Sequence, residues 1–372
     1  MKMLIHAQTI SGIVRDLQLS EPVIFADNEK AGRSGHVGHA MTEFAPGKLM
    51  VFSANTSAVR VEGHAAFGWM EYSISEDYGK TFSQPVKLPY AWDTFLKGIH
   101  TVSVEKAITL DNGEIAAFCL MNSQFSQISC EPWDCPEVVI SPDQGKSWSD
   151  PIVASPFKGR IYDVLYQDGV AYVLLFCNDA EVTFTGNKPE HVYRLYRSED
   201  NCRSFQEICV VPLDTDHRAY GNMIFTPAGD LIVYAYNEKD EVHMDYIISH
   251  DCGKTWETPG KSFVKNKIRN PQVGMLDGQY ILHGRAGEAG EAGLIGEFVL
   301  YTSADGIHWD DGKILVTGRP ASFYSENLTF TLPDGTQKML VKYSENYNDH
   351  VPGVWNGQVN SMMLELTSIP KV

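Results

Sequence analysis

The sequence contains no apolar run close to the roughly eighteen residues that a membrane-spanning helix needs. Residues 1–16 likewise lack an apolar stretch long enough for a signal peptide. The seven cysteines are odd in number and scattered, and none forms a CxxC pair, which argues against a disulfide framework and against a zinc site. These absences predict a cytoplasmic protein with reduced thiols and no membrane partner.

Positive charge is also scarce. The chain has 30 lysine and arginine residues against 47 aspartate and glutamate residues, a net charge of −17. Such a surplus of acid argues against binding of nucleic acid or of an anionic membrane through general electrostatics. An acidic sugar or oligosaccharide is still an acceptable partner where the site itself is basic. No HExxH-type spacing supports a metal site, and we expect no cofactor. The sequence leaves open whether a bound metal assists and what the oligomeric state is.

The sequence instead contains one short motif that is repeated along the chain. Residues 75–82 read SEDYGKTF, residues 141–148 read SPDQGKSW and residues 249–256 read SHDCGKTW. Two further copies are degraded. Residues 198–205 have Cys202 in place of the glycine, and residues 303–309 are one residue shorter. The copies lie roughly fifty to sixty residues apart, a spacing typical of repeat architectures.

Each copy has the chemistry of a tight turn. Its serine and aspartate can hydrogen-bond the backbone of their own turn, its glycine supplies a positive φ, and its final aromatic residue can pack between neighbouring sheets. The aspartates of the five copies are therefore predicted to be structural: Asp77, Asp143, Asp200, Asp251 and Asp305.

Six hairpin turns with glycine between apolar runs set the number of units. Two of the turn motifs are followed by a similar outer-strand sequence, SQPV at 83–86 and SDPI at 149–152. A third copy, SEPV at 20–23, has no repeat before it. We therefore predict one all-β domain over residues 1–372, a six-bladed β-propeller whose N-terminal strand (20–26) completes the last blade and removes the open edges. The predicted blades are 36–90, 100–156, 160–212, 217–264, 268–318 and 322–372.

A propeller of this kind brings the starts of its innermost strands together at one mouth of the central channel. Counting back about eight residues from each turn glycine gives a polar set: His39, Glu105, Arg160, Tyr220, Arg269 and Glu326. Arginine and histidine in this set are notable in so acidic a chain, and they predict a pocket for a carboxylated ligand.

The repeated phrase, S-x-D-x-G-x-[ST]-[WF], resembles the Asp-box of the sialidase (neuraminidase) superfamily, and the chain is similar to that superfamily over nearly its whole length. The resemblance implies the same propeller fold. It also implies a site in which three arginines bind a substrate carboxylate, a tyrosine activated by a glutamate is the nucleophile, and an aspartate is the acid/base.

Only some of these family roles can be assigned to residues of this chain. The Tyr-Ser context at 323–325 matches Tyr324 to the nucleophile, and Arg285 matches an arginine that ends a second strand. The family aspartate falls near His64, the family glutamate at or near Asn270, and the first arginine is replaced by the stretch 35–39 that ends at His39. Candidates for the remaining substrate contacts are Arg160, His217, Arg218, Arg269 and Arg319.

Three functions are consistent with this set. The first is a sialidase-like glycosidase in which Tyr324, deprotonated with help from Glu326, His39 or the arginines, attacks the sugar while His64 or Glu105 protonates the leaving oxygen. The second is a uronate lyase, with His39 or His64 as base, Tyr324 or Tyr220 as acid, and Arg285 neutralising the carboxylate. The third is a propeller that binds glycans without cleaving them, because fold does not fix function.

Overall fold

The structure is a computed structural model, and it describes residues 3–8, 14–35, 38–57, 67–98, 100–123, 134–178, 185–286, 296–319, 324–345 and 360–370. These residues form 27 strands and two short helices. The N-terminal segment contains β1 (Met3–Gln8), β2 (Val14–Leu19), β3 (Val23–Ala26) and α1 (Asn28–Ala31).

Six antiparallel sheets follow in chain order and form the blades of a six-bladed β-propeller, as predicted. Blade 1 contains β4 (Arg33–Ser34), β5 (Met41–Ala45), β6 (Lys48–Ser57), β7 (Gly68–Ser75) and β8 (Val86–Lys87), and α2 (Pro89–Leu96) follows it. Blade 2 contains β9 (His100–Thr109), β10 (Ile115–Ser123), β11 (Glu137–Ser141) and β12 (Ile152–Val153). Blade 3 contains β13 (Gly159–Gln167), β14 (Val170–Cys177), β15 (Val192–Ser198) and β16 (Gln206–Val210). Blade 4 contains β17 (Arg218–Phe225), β18 (Leu231–Asn237), β19 (His243–Ser249) and β20 (Gly260–Phe263). Blade 5 contains β21 (Arg269–Leu276), β22 (Gln279–Ala286), β23 (Gly296–Ser303) and β24 (Lys313–Arg319). Blade 6 contains β25 (Ser325–Thr331), β26 (Gln337–Glu345) and β27 (Asn360–Pro370).

The innermost strands β5, β9, β13, β17, β21 and β25 contact one another in sequence around a ring, and β25 contacts β5 to complete it. Six hydrophobic clusters fill the spaces between neighbouring blades, including the space between blades 6 and 1. Burial of these apolar faces is the main term that holds the blades together.

The N-terminal segment closes the ring, as predicted. β27 is eleven residues long, and its outer edge pairs with both β2 (Leu19 with Leu366) and β3 (Val23 with Met363). β1 then adds antiparallel to β2. Three N-terminal strands therefore join the last blade where the sequence predicted one, because the edge of β27 is long enough to hold two short strands end to end.

The repeated turns have the predicted hydrogen bonds. In the first turn, the Gly79 N–H donates to Ser75 Oγ at 2.9 Å, the Thr81 N–H donates to Asp77 Oδ1 at 2.9 Å, and the Thr81 hydroxyl donates to Asp77 Oδ2 at 2.6 Å. The hydrogen bonds from Thr81 lower the pKa of Asp77 to about 2. Cys202, which replaces the glycine in the third turn, adopts the same positive φ of 61°.

The aromatic residue that ends a turn packs on the preceding blade. The ring centroid of Trp148 in blade 2 lies 6.1 Å from that of Phe52 in blade 1, and Phe205 in blade 3 lies 6.0 Å from Phe118 in blade 2. In blade 1 the partner is Phe25 of β3, 4.9 Å from Phe82. The first turn therefore packs on the segment that closes the ring.

Candidate active site

Four consecutive blades carry a β-bulge at a corresponding place in the innermost strand. The residues left out of the pairing with the second strand are Glu105 in blade 2, Tyr162 in blade 3, Tyr220 in blade 4, and Asn270 with Pro271 in blade 5. A bulge adds a residue to one strand and redirects the side chains beside it. Here it gives each blade one additional side chain at the same mouth of the channel.

Two of these bulge residues have a strained backbone. Tyr220 has a φ of 24° and Asn270 a φ of 52°, which is uncommon for residues with a Cβ and especially for an aromatic one. Such conformations persist where the surrounding structure enforces them, and they concentrate at functional sites.

The side chains of all six blades meet in one pocket at this mouth. The described residues that line it are Gly38, His39, Glu105, Lys106, Arg160, Tyr162, Tyr220, Asn270, Gln272, Tyr324, Ser325 and Glu326. The free volume among them is only about 40 Å³, enough for about one water molecule. They therefore form a nearly filled floor at this mouth of the channel.

A pair of phenols lies at the centre of this floor. The hydroxyl oxygens of Tyr220 and Tyr324 are 3.4 Å apart, and both side chains are buried. The Arg160 guanidinium carbon lies 5.7 Å from the ring centroid of Tyr220 and 5.6 Å from that of Tyr324. Two hydroxyl groups and a cation therefore face the same small space.

Arg160 is also bound to a carboxylate. Its Nη2 and Nε donate to Glu105 Oε2 at 2.6 Å and 3.1 Å. The other carboxylate oxygen, Glu105 Oε1, is buried and has no hydrogen-bond partner among the described residues. A buried carboxylate oxygen without a partner is costly, and in a pocket it is a candidate for contact with a ligand or for proton transfer.

A buried ionic cluster closes the channel beneath the phenols. Lys106 Nζ lies 2.5 Å from Glu326 Oε2, 3.0 Å from Asp163 Oδ1 and 2.8 Å from Gln272 Oε1. Burial disfavours the Lys106 ammonium, but the two carboxylates outweigh burial and raise its pKa. Burial also raises the pKa of Glu326, against the effect of Lys106. Beyond this cluster the channel opens on the opposite face as a cavity of about 610 Å³.

His39 reaches the pocket from blade 1 and is held from behind by a lysine of blade 6. His39 Nδ1 lies 3.1 Å from Lys342 Nζ, and Lys342 Nζ donates to the Phe52 carbonyl oxygen at 2.6 Å. Ser325, next to Tyr324, is held in a similar way by His283, whose Nδ1 lies 2.9 Å from Ser325 Oγ.

The structure brings together six of the residues singled out by sequence: His39, Glu105, Arg160, Tyr220, Tyr324 and Glu326. Four others are not among the described residues that line this pocket. Arg285 lies opposite Arg269 on neighbouring strands, and Arg269 stacks 5.9 Å from the Tyr236 ring. Arg218 binds Asp245, and His217 Nδ1 lies 3.2 Å from Glu238 Oε2.

His64 lies outside the described residues, as does the side chain of Arg319. Sequence reasoning did not single out Tyr162, Lys106, Gln272 or Lys342, and it noted Asn270 only as a departure from the family pattern. A bulge shifts the alternation of inward and outward side chains, so a fixed count from the turn missed Tyr162, Lys106 and Gln272 on the innermost strands. Lys342 lies on β26, a second strand that this count does not reach.

Within the described ranges, no group of three or more His, Cys, Asp or Glu side chains is arranged to hold a metal ion. No helix in the same ranges is long and apolar enough to cross a membrane.

No family model matches the chain, and no curated protein matches it. Solved structures with the same architecture do exist. A protein of unknown function from Dyadobacter fermentans superposes with a TM-score of 0.66 at 16% identity, over 94% of this chain and 99% of that one. A mutant of the NanB sialidase from Streptococcus pneumoniae gives 0.61 at 11% identity, over 94% and 70%.

Trypanosoma rangeli sialidase, in a covalent intermediate with 2,3-difluorosialic acid, gives a TM-score of 0.64 at 14% identity. The match covers 97% of this chain and 59% of that protein. The chain therefore has the fold of the sialidases, and at these identities the likeness concerns the fold alone.

Proposed function

We propose that the protein is a carbohydrate-active enzyme that breaks a glycosidic bond next to a carboxylated sugar, and that it does so by β-elimination. The observation that carries the proposal is the Tyr220–Tyr324 pair, with hydroxyl oxygens 3.4 Å apart beside the Arg160 guanidinium. His39 lines the same pocket. Together these residues supply a base, an acid and a cation.

Elimination next to a uronic acid has three requirements. A cation must stabilise the carboxylate, a base must take the proton from C5, and an acid must protonate the oxygen that leaves C4. We assign Arg160, assisted by the Asn270 amide, to the carboxylate, because a guanidinium binds carboxylates in a fixed geometry. We assign His39 as the base and Tyr324, paired with Tyr220, as the acid, since a phenol carries its proton near neutral pH and can give it to the leaving oxygen.

The electrons and protons balance within this set. The C5–H bond breaks and its proton goes to His39, while the electron pair forms a double bond between C4 and C5. The C4–O bond breaks, and the leaving oxygen receives the Tyr324 proton. Exchange with solvent then returns both residues to their starting states, so no oxidant or cofactor is required.

We prefer elimination to hydrolysis for two reasons, and this preference reverses the order expected from sequence. Arg160 is the one arginine among the described lining residues, whereas a sialidase-like site uses three. The Tyr324 hydroxyl lies 3.4 Å from that of Tyr220, and such a pair of phenols suits proton donation to a leaving oxygen.

Hydrolysis is the second candidate, because of Glu105. Its Oε1 is buried in the pocket without a hydrogen-bond partner among the described residues, as suits an acid/base for the leaving oxygen. The similarity in fold to a sialidase captured as a covalent intermediate adds support. In this mechanism Tyr324 would be the nucleophile.

The test is incubation with sialylated and uronate-containing oligosaccharides, with ultraviolet absorbance followed in the band of a conjugated uronate double bond and released sugar measured in parallel. Cleavage with rising absorbance supports elimination. Release of an acidic sugar without a rise supports hydrolysis and overturns elimination. Binding without cleavage across a broad panel would overturn both and indicate a glycan-binding propeller.

A further inference from the structure

Lys342 is a buried lysine that the proposed mechanism does not use. It lies on β26, and its side chain is fully buried between blades 6 and 1. It forms no ion pair with any described residue; its polar contacts are the Phe52 carbonyl oxygen at 2.6 Å and His39 Nδ1 at 3.1 Å. The Phe25 ring lies 5.6 Å from Nζ.

The charged groups around Lys342 do not neutralise it. Glu326 is its cross-strand neighbour on β25 and carries negative charge, but that carboxylate lies 2.5 Å from Lys106. Lys106 in turn is bound to Asp163 on β13. Burial therefore dominates and lowers the pKa of Lys342 to about 7, with Glu326 acting in the opposite direction. The charge of this side chain consequently changes in the neutral range.

The contact with His39 makes that charge matter at the pocket. A lysine ammonium only donates hydrogen bonds, so a charged Lys342 requires Nδ1 of His39 to be an acceptor, and the proton of a neutral ring is then on Nε2. A neutral lysine amine can accept the Nδ1–H instead, and Nε2 then carries the lone pair. The hydrogen-bond partner of Nδ1 thus decides whether Nε2 carries a proton to donate or a lone pair that can accept one.

We propose that Lys342 is a positioning residue that sets the tautomer of His39: charged, it makes Nε2 a hydrogen-bond donor, and neutral, it makes Nε2 a base. The inference rests on the proposed function for its catalytic meaning, because a basic Nε2 is what abstraction of the C5 proton requires. Control of the His39 tautomer by Lys342 does not depend on which sugar is cleaved.

The direct test is nitrogen NMR of the full chain labelled with 15N-histidine, with the His39 signals assigned from the His39→Gln variant. In the wild type, the lone pair should move from Nδ1 to Nε2 with a midpoint near pH 7. In Lys342→Met, which keeps an unbranched side chain one atom shorter and without charge, this transition should disappear. Lys338→Met is the matched control on the same strand, because Lys338 binds Glu365, and it should keep the wild-type transition.

Activity provides the second readout. With a substrate found by the assay above, the rise of kcat with pH near neutrality should be present in the wild type and in Lys338→Met. It should be absent in Lys342→Met, with kcat lowered about tenfold or more and KM little changed. An unchanged His39 tautomer across pH in the wild type, or the same transition in Lys342→Met, would overturn the inference. Failure to find any cleaved glycan would overturn the proposed function alone, since the NMR experiment needs no substrate.

Discussion

The hydroxyl oxygens of Tyr220 and Tyr324 lie 3.4 Å apart, although the residues are 104 positions apart in the chain. Tyr220 is the bulge residue of blade 4, and Tyr324 directly precedes the innermost strand of blade 6. The intervening blade contributes Asn270 to the same pocket. The propeller therefore builds a paired-phenol site from three blades.

Tyr324→Phe should lower kcat by about 10²- to 10⁴-fold, the usual contribution of a positioned acid or base. Tyr220→Phe should also lower kcat, and the double variant should lose less than the product of the two effects because the phenols act as a unit. Steady-state kinetics of the four proteins measures this coupling.

The control for these variants is Tyr166→Phe, which removes a hydroxyl at the opposite opening of the channel, where it accepts the Asp111 N–H. It should leave kcat unchanged. Thermal unfolding of all variants checks that the fold is retained. Full activity in Tyr324→Phe would exclude that residue from the chemistry.

Arg160→Lys should raise KM for a carboxylated substrate at least about tenfold, a loss of about 1.4 kcal/mol, because a lysine cannot reproduce two-point binding of a carboxylate. KM for a matched neutral oligosaccharide should change less, and the ratio of the two is the measurement. Arg203→Lys is the control, since Arg203 binds Glu114 at the surface. Equal changes for both substrates would show that Arg160 does not bind the carboxylate.

His283 should make the fold sensitive to acid. Burial, with a smaller effect of Lys106, lowers the pKa of His283 to about 3, whereas in the unfolded chain it is about 6.5. Between these values the unfolded chain binds the proton and the folded chain does not. The free energy of unfolding should therefore fall as the pH drops from about 6.5 to 3, by up to about 1.4 kcal/mol per pH unit.

His283→Gln, which keeps hydrogen-bonding atoms next to Ser325, should remove this part of the slope in denaturant titrations at several pH values. His308→Gln, at an exposed histidine of the last turn, should keep it. Identical pH slopes for wild type and His283→Gln would contradict the assignment.

Removing Lys106 should destabilise the protein strongly. Lys106→Met leaves Glu326 and Asp163 buried without their cation, and breaking a buried pair in this way costs about 3–5 kcal/mol. Lys48→Met removes an exposed pair with Glu76 and should cost less than about 1 kcal/mol. Urea unfolding compares the two; a similarly small loss for both would mean that the channel cluster does not stabilise the fold.

Gly284 makes room for the bulge that carries Asn270. A Cβ at Gly284 would lie 2.7 Å from the Arg269 carbonyl oxygen and 3.0 Å from the Asn270 carbonyl oxygen. Gly284→Ala should therefore displace the bulge, lower kcat/KM and cost about 2 kcal/mol or more of stability. Activity and unfolding free energy are measured together.

The control for this change is Gly278→Ala in the turn of the same hairpin. A Cβ there contacts nothing within 4 Å, but the φ of 77° is strained for alanine, so we expect about 1 kcal/mol of destabilisation and unchanged activity. Loss of activity in Gly278→Ala alone would contradict this account of the bulge.

The propeller itself was predictable from the sequence for a local reason. A turn motif such as residues 75–82 holds the serine and aspartate hydrogen bonds that shape it within its own eight residues, so its structure follows largely from local sequence. The hairpin glycines gave the number of blades, and the unattached phrase at 20–23 indicated how the ring closes. The resemblance to sialidases pointed to Tyr324, and the count from the turns to Tyr220, Arg160 and Glu105.

The arrangement of the site depended on tertiary structure. Glu105, Tyr162, Tyr220 and Asn270 reach the pocket through bulges, which shift the alternation of a strand by one residue and have no marker as local as a turn glycine. The contact between Lys342 and His39 joins residues 303 positions apart in different blades. The local hydrogen bonding of the turns determined the fold, whereas the meeting of six distant strands around one channel decided which side chains act on each other.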